Sequence, residues 1–355
     1  MTIEAPRLTV ETDVPAIADA WDELARRAQA SPFVCRDWFE AWSAAFGQGQ
    51  LQVATLRRGE GLVALLPLEA TGRRLVSPAN WHTPMYGPLA QDREAAGELL
   101  EQLFRLETRT VELSFLDTTS GALDDASRAA RTARRMTARR TLARSPYVAL
   151  EGSYEDYERT LSKNRRKGLR RNTRALEREG TLTFEVELGK GDLEGALRDA
   201  FALEASGWKG RRGTAIASDS ETLQFYLDLA RRGAARSWLR LAFLRLDGRP
   251  LAFDFALEHG GSWYSLKSGY EDAAARFGPG GVLLAWLLRR CYEDGLERFE
   301  LLGDSDAFKL SYANQVRELG WLGTFPRSPS GRAEASLVRA RELVRPFARR
   351  VRHLV

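Results

Sequence analysis

The chain has 355 residues, 44% of them apolar and 28% charged: enough to bury two cores, and too apolar for a disordered chain. Its formal net charge is +5, and the tail from Arg332 to His353, with seven arginines against two acids, accounts for all of it. The remainder is neutral overall, so a globally basic nucleic-acid-binding body is not implied, although local anion sites are.

Two cysteines far apart in sequence, Cys35 and Cys291, argue against a disulfide framework. Three scattered histidines, His82, His259 and His353, speak against a Cys/His zinc centre and a Ser-His-Asp hydrolase, so no metal is expected. No apolar run is long enough to cross a bilayer, and Met1 to Val10 lacks the layout of a secretory signal. A cytoplasmic address is the expectation.

In chain order, Asp13 and Pro15 predict a helix start, with Ala16, Ile17, Ala20, Trp21 and Leu24 as its apolar stripe. After a break at Ser31-Pro32 comes an aromatic helix with Trp38, Phe39, Trp42 and Phe46, stopped by Gly47. Strands are predicted at 51–57 and 62–68, joined by a turn at Arg58-Gly59-Glu60-Gly61. Residues 78–88 form an irregular loop holding Trp81, His82 and Tyr86. A helix over 93–106 leads into a strand at 110–116, and the Arg/Ala-rich stretch 125–140 predicts a helix running toward a short strand. Ser145-Pro146 and the strand after it close the first half.

The second half opens with helices at 153–160 and 162–179, a strand at 181–187, and helices at 192–207 and 219–232. Three strong strands follow at 238–246, 250–258 and 262–269, with hairpin turns at Asp247-Gly248 and Gly260-Gly261. The turn Phe277-Gly278-Pro279-Gly280-Gly281 feeds an apolar helix from Val282 to Tyr292, and a strand from 298 to 302 ends at Gly303-Asp304.

The halves echo each other at an offset of 188. Val53 maps to Leu241, Arg57 to Arg245, Leu62-Val63-Ala64 to Pro250-Leu251-Ala252, and Val111-Glu112-Leu113 to Phe299-Glu300-Leu301. Two copies of one α/β fold are the better account, and the glycine turn is where they differ. Gly278, Gly280, Gly281 and Val282 can turn bare amides toward a phosphate, with Arg276 adding a charge-assisted contact. A plain turn with a helix cap is the alternative.

The basic run Lys163, Arg165, Arg166, Lys167, Arg170, Arg171 and Arg174 meets no acid until Glu177. It suits an anion or a solvated face equally. Asp254 alternates with Phe253 and Phe255 on a strand and is a candidate base or a buried structural acid. Tyr270 and Tyr312 are packing residues or proton donors to a leaving thiolate. The tail's Leu337, Ala340, Val344, Phe347, Val351 and Leu354 recur at 3-4 spacing, a seam for docking on the body or for peripheral contact with an anionic membrane.

The second half resembles the GNAT acyltransferase superfamily, whose pyrophosphate signature compares with Ala275-Arg276-Phe277-Gly278-Pro279-Gly280, with Ala in place of the usual Gln or Arg. Residues 157–312 resemble more closely a CelD-like subfamily linked to cellulose and exopolysaccharide biosynthesis and related to FemAB-type transferases. The pieces are Leu161 to Arg166, Glu204 to Gly210, Gly269-Tyr270-Glu271-Asp272, the glycine turn, and Gly303-Asp304 with Phe308-Lys309. Residues 31–70 resemble the degenerate first domain of that group.

The resemblance implies tandem GNAT-like domains at 1–150 and 151–325, each a mixed, mainly antiparallel sheet flanked by helices, with a basic C-terminal helix at 326–355. It implies acyl transfer, acetyl in family terms, from acetyl-CoA, another acyl-CoA or an acyl carrier protein to a small-molecule, sugar or peptide acceptor. It places Glu204 near the donor, as a base or as a surface or ion-paired glutamate, and Lys309 beside the reacting carbonyl or substrate phosphate or as a snorkelling lysine. The alternatives are a FemAB-like transferase using aminoacyl-tRNA, the one nucleic acid in view, and a non-catalytic binding module.

Overall fold

The computed structural model describes residues 6–207, 211, 213 and 215–352, excepting the side chains of 342–352. The first half runs β1 (Arg7–Glu11), α1 (Ala18–Arg27), α2 (Arg36–Phe46), β2 (Gln50–Arg58), β3 (Gly61–Thr71), β4 (Arg74–Val76), β5 (Leu89–Ala90), α3 (Arg93–Leu106), β6 (Thr110–Asp117), α4 (Ala122–Thr132) and β7 (Met136–Ala149). The second runs α5 (Tyr154–Thr160), α6 (Lys163–Glu179), β8 (Leu182–Glu187), α7 (Leu193–Ser206), α8 (Ser220–Ala235), β9 (Leu239–Leu246), β10 (Arg249–His259), β11 (Ser262–Tyr270), α9 (Pro279–Glu293), β12 (Arg298–Glu300), α10 (Ala307–Leu310), β13 (Gln315–Phe325) and α11 (Pro329–Arg352).

The chain forms two compact units. One comprises Met1–Phe39, Gly47–Ala143 and Glu318–Val355; the other comprises Glu40–Phe46 and Arg144–Arg317. In the first, β1, β2, β3 and β4 pair antiparallel in sequence, β4 pairs parallel with β6, and β6 pairs antiparallel with β13. In the second, β8, β9, β10 and β11 repeat that ladder, β11 pairs parallel with β12, and β12 pairs antiparallel with β7.

The repeat holds in register. The pair Arg57–Leu62 recurs as Arg245–Pro250, and Leu56–Ala64 as Leu244–Ala252, with the same one-residue irregularity between them. The parallel pair Leu75–Val111 recurs as Trp263–Phe299. A one-residue slip would turn every side chain to the wrong face, so identical registers mark one fold used twice. Each unit is a mixed, mainly antiparallel sheet flanked by helices.

These boundaries differ from 1–150, 151–325 and 326–355 for a physical reason. The strand closing each sheet comes from the other half of the sequence: β13 completes the first unit and β7 the second. The C-terminal helix α11 accordingly belongs to the first unit, where Ala335 and Val338 pack with Trp321 and Phe325 of β13. Leu337, assigned to the buried seam, is 53% exposed. The side chains of Val344, Phe347 and Val351, and residue Leu354, lie outside the described residues.

The helix expected over 125–140 ends at Thr132. Arg134 takes a positive φ, and Arg135 turns inward to donate to the carbonyls of Glu107, Arg109 and Thr324. That inward turn starts β7.

In the second unit, Leu161, Leu176, Val282, Leu283, Leu287 and Leu288 pack with Ala252, Ala256 and Trp263 on one face of the sheet. Each fully buried leucine contributes about 2 kcal/mol. The other face carries α7 and α8, with Phe253, Phe255, Phe225 and Tyr226 buried there. No helix among the described residues is long and apolar enough to cross a membrane.

Candidate functional site

Strands β11 and β12 of the second unit pair for three residues and then part. The last pair is Tyr264–Glu300, whereas β11 continues beside β10 to Tyr270. The parting follows from backbone geometry: Leu302 and Gly303 have φ of 52° and 62°, which no extended strand accommodates. On the facing strand the register slips between Phe255 and Ala256, leaving Leu266 as a bulged extra residue. The result is a wedge with a bulge on one wall.

The first unit diverges at this place. Its β4 is interrupted after Val76 by the loop 77–88 and resumes as β5. Tyr86 from that loop bridges Leu116, donates its N–H to Phe115 O at 3.0 Å and its hydroxyl to Pro67 O at 2.5 Å, and is buried. The wedge of the first copy is therefore plugged. Its equivalent helix α3 is capped by the Asp92 carboxylate, which accepts from Ala95 N–H, whereas α9 has no side-chain cap.

The glycine turn sits at the start of α9. Gly278 has φ 56° and serves as N-cap. A row of bare amides was the expectation there, and the structure reduces it to one. Gly278 N–H donates to Ala275 O, Gly281 and Val282 N–H both donate to Gly278 O, and Pro279 has none. Among the described residues only Gly280 N–H lacks a protein acceptor in this turn. Arg276 lies over its neighbour, with its guanidinium 4.6 Å from the Phe277 ring centroid.

The candidate acids occupy opposite faces of the sheet. Gly269 and Phe253 are cross-strand partners, and a Cβ at Gly269 would lie 2.7 Å from Phe253 Cε1 and 3.1 Å from Glu204 Cα. Glu204 thus belongs to the α7 face, is 2% exposed, and accepts from Ile216 N–H at 2.8 Å. Trp208, Lys209 and Gly210 of its motif lie outside the described residues. Asp254, the next residue along β10 from Phe253, faces the α9 side. Its carboxylate accepts from Trp263 Nε1 at 2.9 Å and from the Ser265 hydroxyl. Ser265 immediately precedes the bulge, so Asp254 fixes the shape of β11 there.

Tyr270 ends β11 on the α9 face, and its ring is 3.4 Å from where a Cβ at Gly280 would lie. The structure thereby gathers Glu204, Gly269, Tyr270 and Gly280 at one strand end. It keeps Lys309 apart: its Nζ donates to Leu302 O at 2.7 Å, holding the diverging strand rather than reaching the turn. Tyr312 is buried, with its hydroxyl 3.5 Å from Gly281 O. Burial raises its pKa, with Arg165 opposing that effect, so the phenol keeps its proton at neutral pH.

Helix α6 presents two chemically different faces. Arg165, Leu169, Asn172 and Leu176 recur at helical spacing and turn inward: Leu176 is buried, Arg165 donates to Ser311 and lies over Tyr312, and Asn172 Nδ2 is 2.7 Å from a Cβ at Gly278. The remaining cations, Lys163, Arg166, Lys167, Arg170, Arg171, Arg174 and Arg178, line an outer groove of about 640 Å³. Helical spacing sets them off the inward face, although the Arg171 guanidinium reaches back to donate to Asn172 Oδ1 at 3.4 Å beside the turn. The bulge at Leu266, its Asp254–Ser265 clamp, and the inward pair Arg165 and Asn172 escaped the sequence reading. A strand acid followed by Trp263 and Ser265 was the available signal for the clamp. Among the described residues no acid, His and Cys cluster could hold a metal.

Residues 163–310 match the acetyltransferase (GNAT) domain model. The match begins at the first residue of α6 and ends at the last of α10. A search among curated proteins finds no match. Among solved structures, the chain is similar to the C-terminal DUF2156 domain of a putative lysylphosphatidylglycerol synthetase from Agrobacterium fabrum, at 16% identity over 91% of this chain and 96% of that one, with a TM-score of 0.56. It is similar to FemX at 11% identity over 85% and 95%, with a TM-score of 0.61. A conserved protein of unknown function from Bacteroides thetaiotaomicron gives 12%, 90%, 99% and 0.55. At such identities the likeness concerns the fold.

Proposed function

We propose that the second unit transfers an acyl group from a CoA or carrier-protein thioester to an amine or hydroxyl acceptor, in the wedge between β11 and β12. The observation that carries this reading is the parting of the two strands opposite the Leu266 bulge. A strand edge exposed in a wedge offers main-chain groups to an extended donor chain. An N–H re-aimed by a bulge can stabilise the oxyanion formed when the acceptor adds to the carbonyl.

Glu204, on the α7 face, takes the proton from the attacking amine or hydroxyl. Tyr270, on the α9 face, supplies a proton to the departing thiolate. Gly280 N–H receives the donor's phosphate end, with positive charge added by Arg165, which lies over Tyr312 beside Gly281. Asp254 and Lys309 act as positioning residues, one holding the bulge and the other the carbonyl of Leu302. The CelD-like resemblance supports a polysaccharide or envelope precursor as acceptor.

The fold shared with FemX supports a second reading, aminoacyl transfer from charged tRNA, in which an ester replaces the thioester at the same carbonyl. Thermal shift separates the two. Saturation at about 100 times Kd adds about 2.7 kcal/mol, which is roughly 5–10 °C for a unit of this size. Acetyl-CoA or a longer acyl-CoA should produce that rise in the native chain and not in Gly280→Trp, whose ring would meet Tyr270. A rise with aminoacyl-tRNA alone favours the second reading. An acyl-CoA shift that survives Gly280→Trp overturns the proposed donor position.

A further inference from the structure

The outer face of α6 is a continuous cationic ridge that the wedge does not use. Its seven cations, from Lys163 to Arg178, span about 22 Å at 1.5 Å per residue. Among the described residues only Arg170 of these has an acidic partner, Glu158 at 3.2 Å. The Nε of Arg166 is buried without a hydrogen-bond acceptor. Seven like charges along one helix repel one another, so the sequence carries a cost that packing within the unit does not offset.

The surroundings restrict what can lie there. Helix α5 places Glu155, Asp156 and Glu158 before the ridge, and Glu177 and Glu179 stand at its far end. Outside α6, the second unit holds 20 basic residues against 25 acidic ones. A broad polyanion, such as a lipid surface or an RNA duplex, would meet these acids as well as the ridge and be repelled by them. No aromatic side chain lies on the ridge for bases to stack on. A strip one helix wide, with charges at 3-4 spacing, matches carboxylates repeating at the same spacing along a single partner helix.

We infer that the outer face of α6 docks an acidic helix of a partner protein. If the proposed transfer is right, that partner is the small helical protein bearing the acyl thioester. Docked there, it lies one helix diameter, about 10 Å, from the glycine turn. The docking itself stands independently of the transfer chemistry.

The test uses the full chain and a purified acyl carrier protein lacking its phosphopantetheine arm, so that no donor group can contribute. Titration should show binding that weakens at least tenfold in the Lys167→Glu/Arg174→Glu/Arg178→Glu variant. It should also weaken between about 50 and about 300 mM salt, as a screened charge pairing must, and be restored in part by carboxylate-to-lysine changes on the carrier helix. All three positions are exposed, and an unchanged melting temperature confirms folding. If the triple variant does not fold, Arg174→Glu alone and the salt titration carry the test. No binding, binding indifferent to these charges, or tighter ridge-dependent binding of tRNA or phosphatidylglycerol vesicles overturns the inference. The acyl-CoA shift should persist in the triple variant; its absence from the native chain would count against the donor site and leave the docking result intact.

Discussion

Replacing Asp254 distinguishes a clamp from a catalyst. In Asp254→Ala the indole N–H of Trp263, which is 1% exposed, and the hydroxyl of Ser265 both lose their acceptor. A buried donor left unsatisfied costs about 1–3 kcal/mol, so the variant should lose about 2–5 kcal/mol. For a unit of this size that lowers the melting temperature by roughly 5–15 °C. Asp254→Asn keeps an acceptor oxygen for Trp263 and can donate to Ser265, so its loss should be less than half as large. Calorimetry on the three proteins, with acyl transfer measured well below the lower melting point, reads both effects. If Asp254→Ala melts within about 2 °C of the native chain while transfer falls more than about 100-fold, Asp254 is the base and the clamp reasoning is wrong.

Glu204→Gln retains an oxygen for Ile216 N–H, so it should melt within a few degrees of the native chain and lose about 100-fold or more in rate if the carboxylate is the base; steady-state kinetics beside a melting curve checks this. Arg317 and Glu300 form a buried bidentate pair at 2.8 and 2.9 Å. Arg317→Met should therefore cost about 3–5 kcal/mol in urea unfolding, and Glu300→Leu/Arg317→Met should recover most of it. Burial holds the Cys291 thiol well above its ordinary value. It should resist maleimide at pH 8 until the protein is unfolded. Because only the unfolded thiol ionises as pH rises past 9.0, this group's contribution to stability should fall above that pH.

The sequence made the local hairpins and the repeat legible. Asp247-Gly248 and Gly260-Gly261 mark turns by their own chemistry, and an offset of 188 survives in the strand registers because register is set by the same alternating pattern. The closing strands were not legible in the same way. Nothing in Met136–Ala149 or Gln315–Phe325 states that each pairs with a strand about half the chain's length away, since such pairing is decided by edges left open elsewhere. The site was half visible. Gly278 and Gly280 announced a turn, but the carbonyl of Gly278 had two amides to satisfy, and those bonds appear only once the helix is built. The basic run was visible as charge. That most of it lies off the inward face, with Arg165 turned in, follows from which residues, Leu169 and Leu176 among them, are drawn into the core.

The crossed closing strands set an order of events during synthesis. The strands that pair within the second unit, β7 to β12, have all been made by Glu300, and the rest of that unit by Arg317. The first unit, begun at the N-terminus, waits with the edge of β6 uncovered until Glu318 to Phe325 leave the ribosome. An uncovered edge invites pairing with another chain. The part of this protein begun earliest is thus the last to be finished, and the interval between belongs to whatever shields Thr110 to Asp117 from its neighbours.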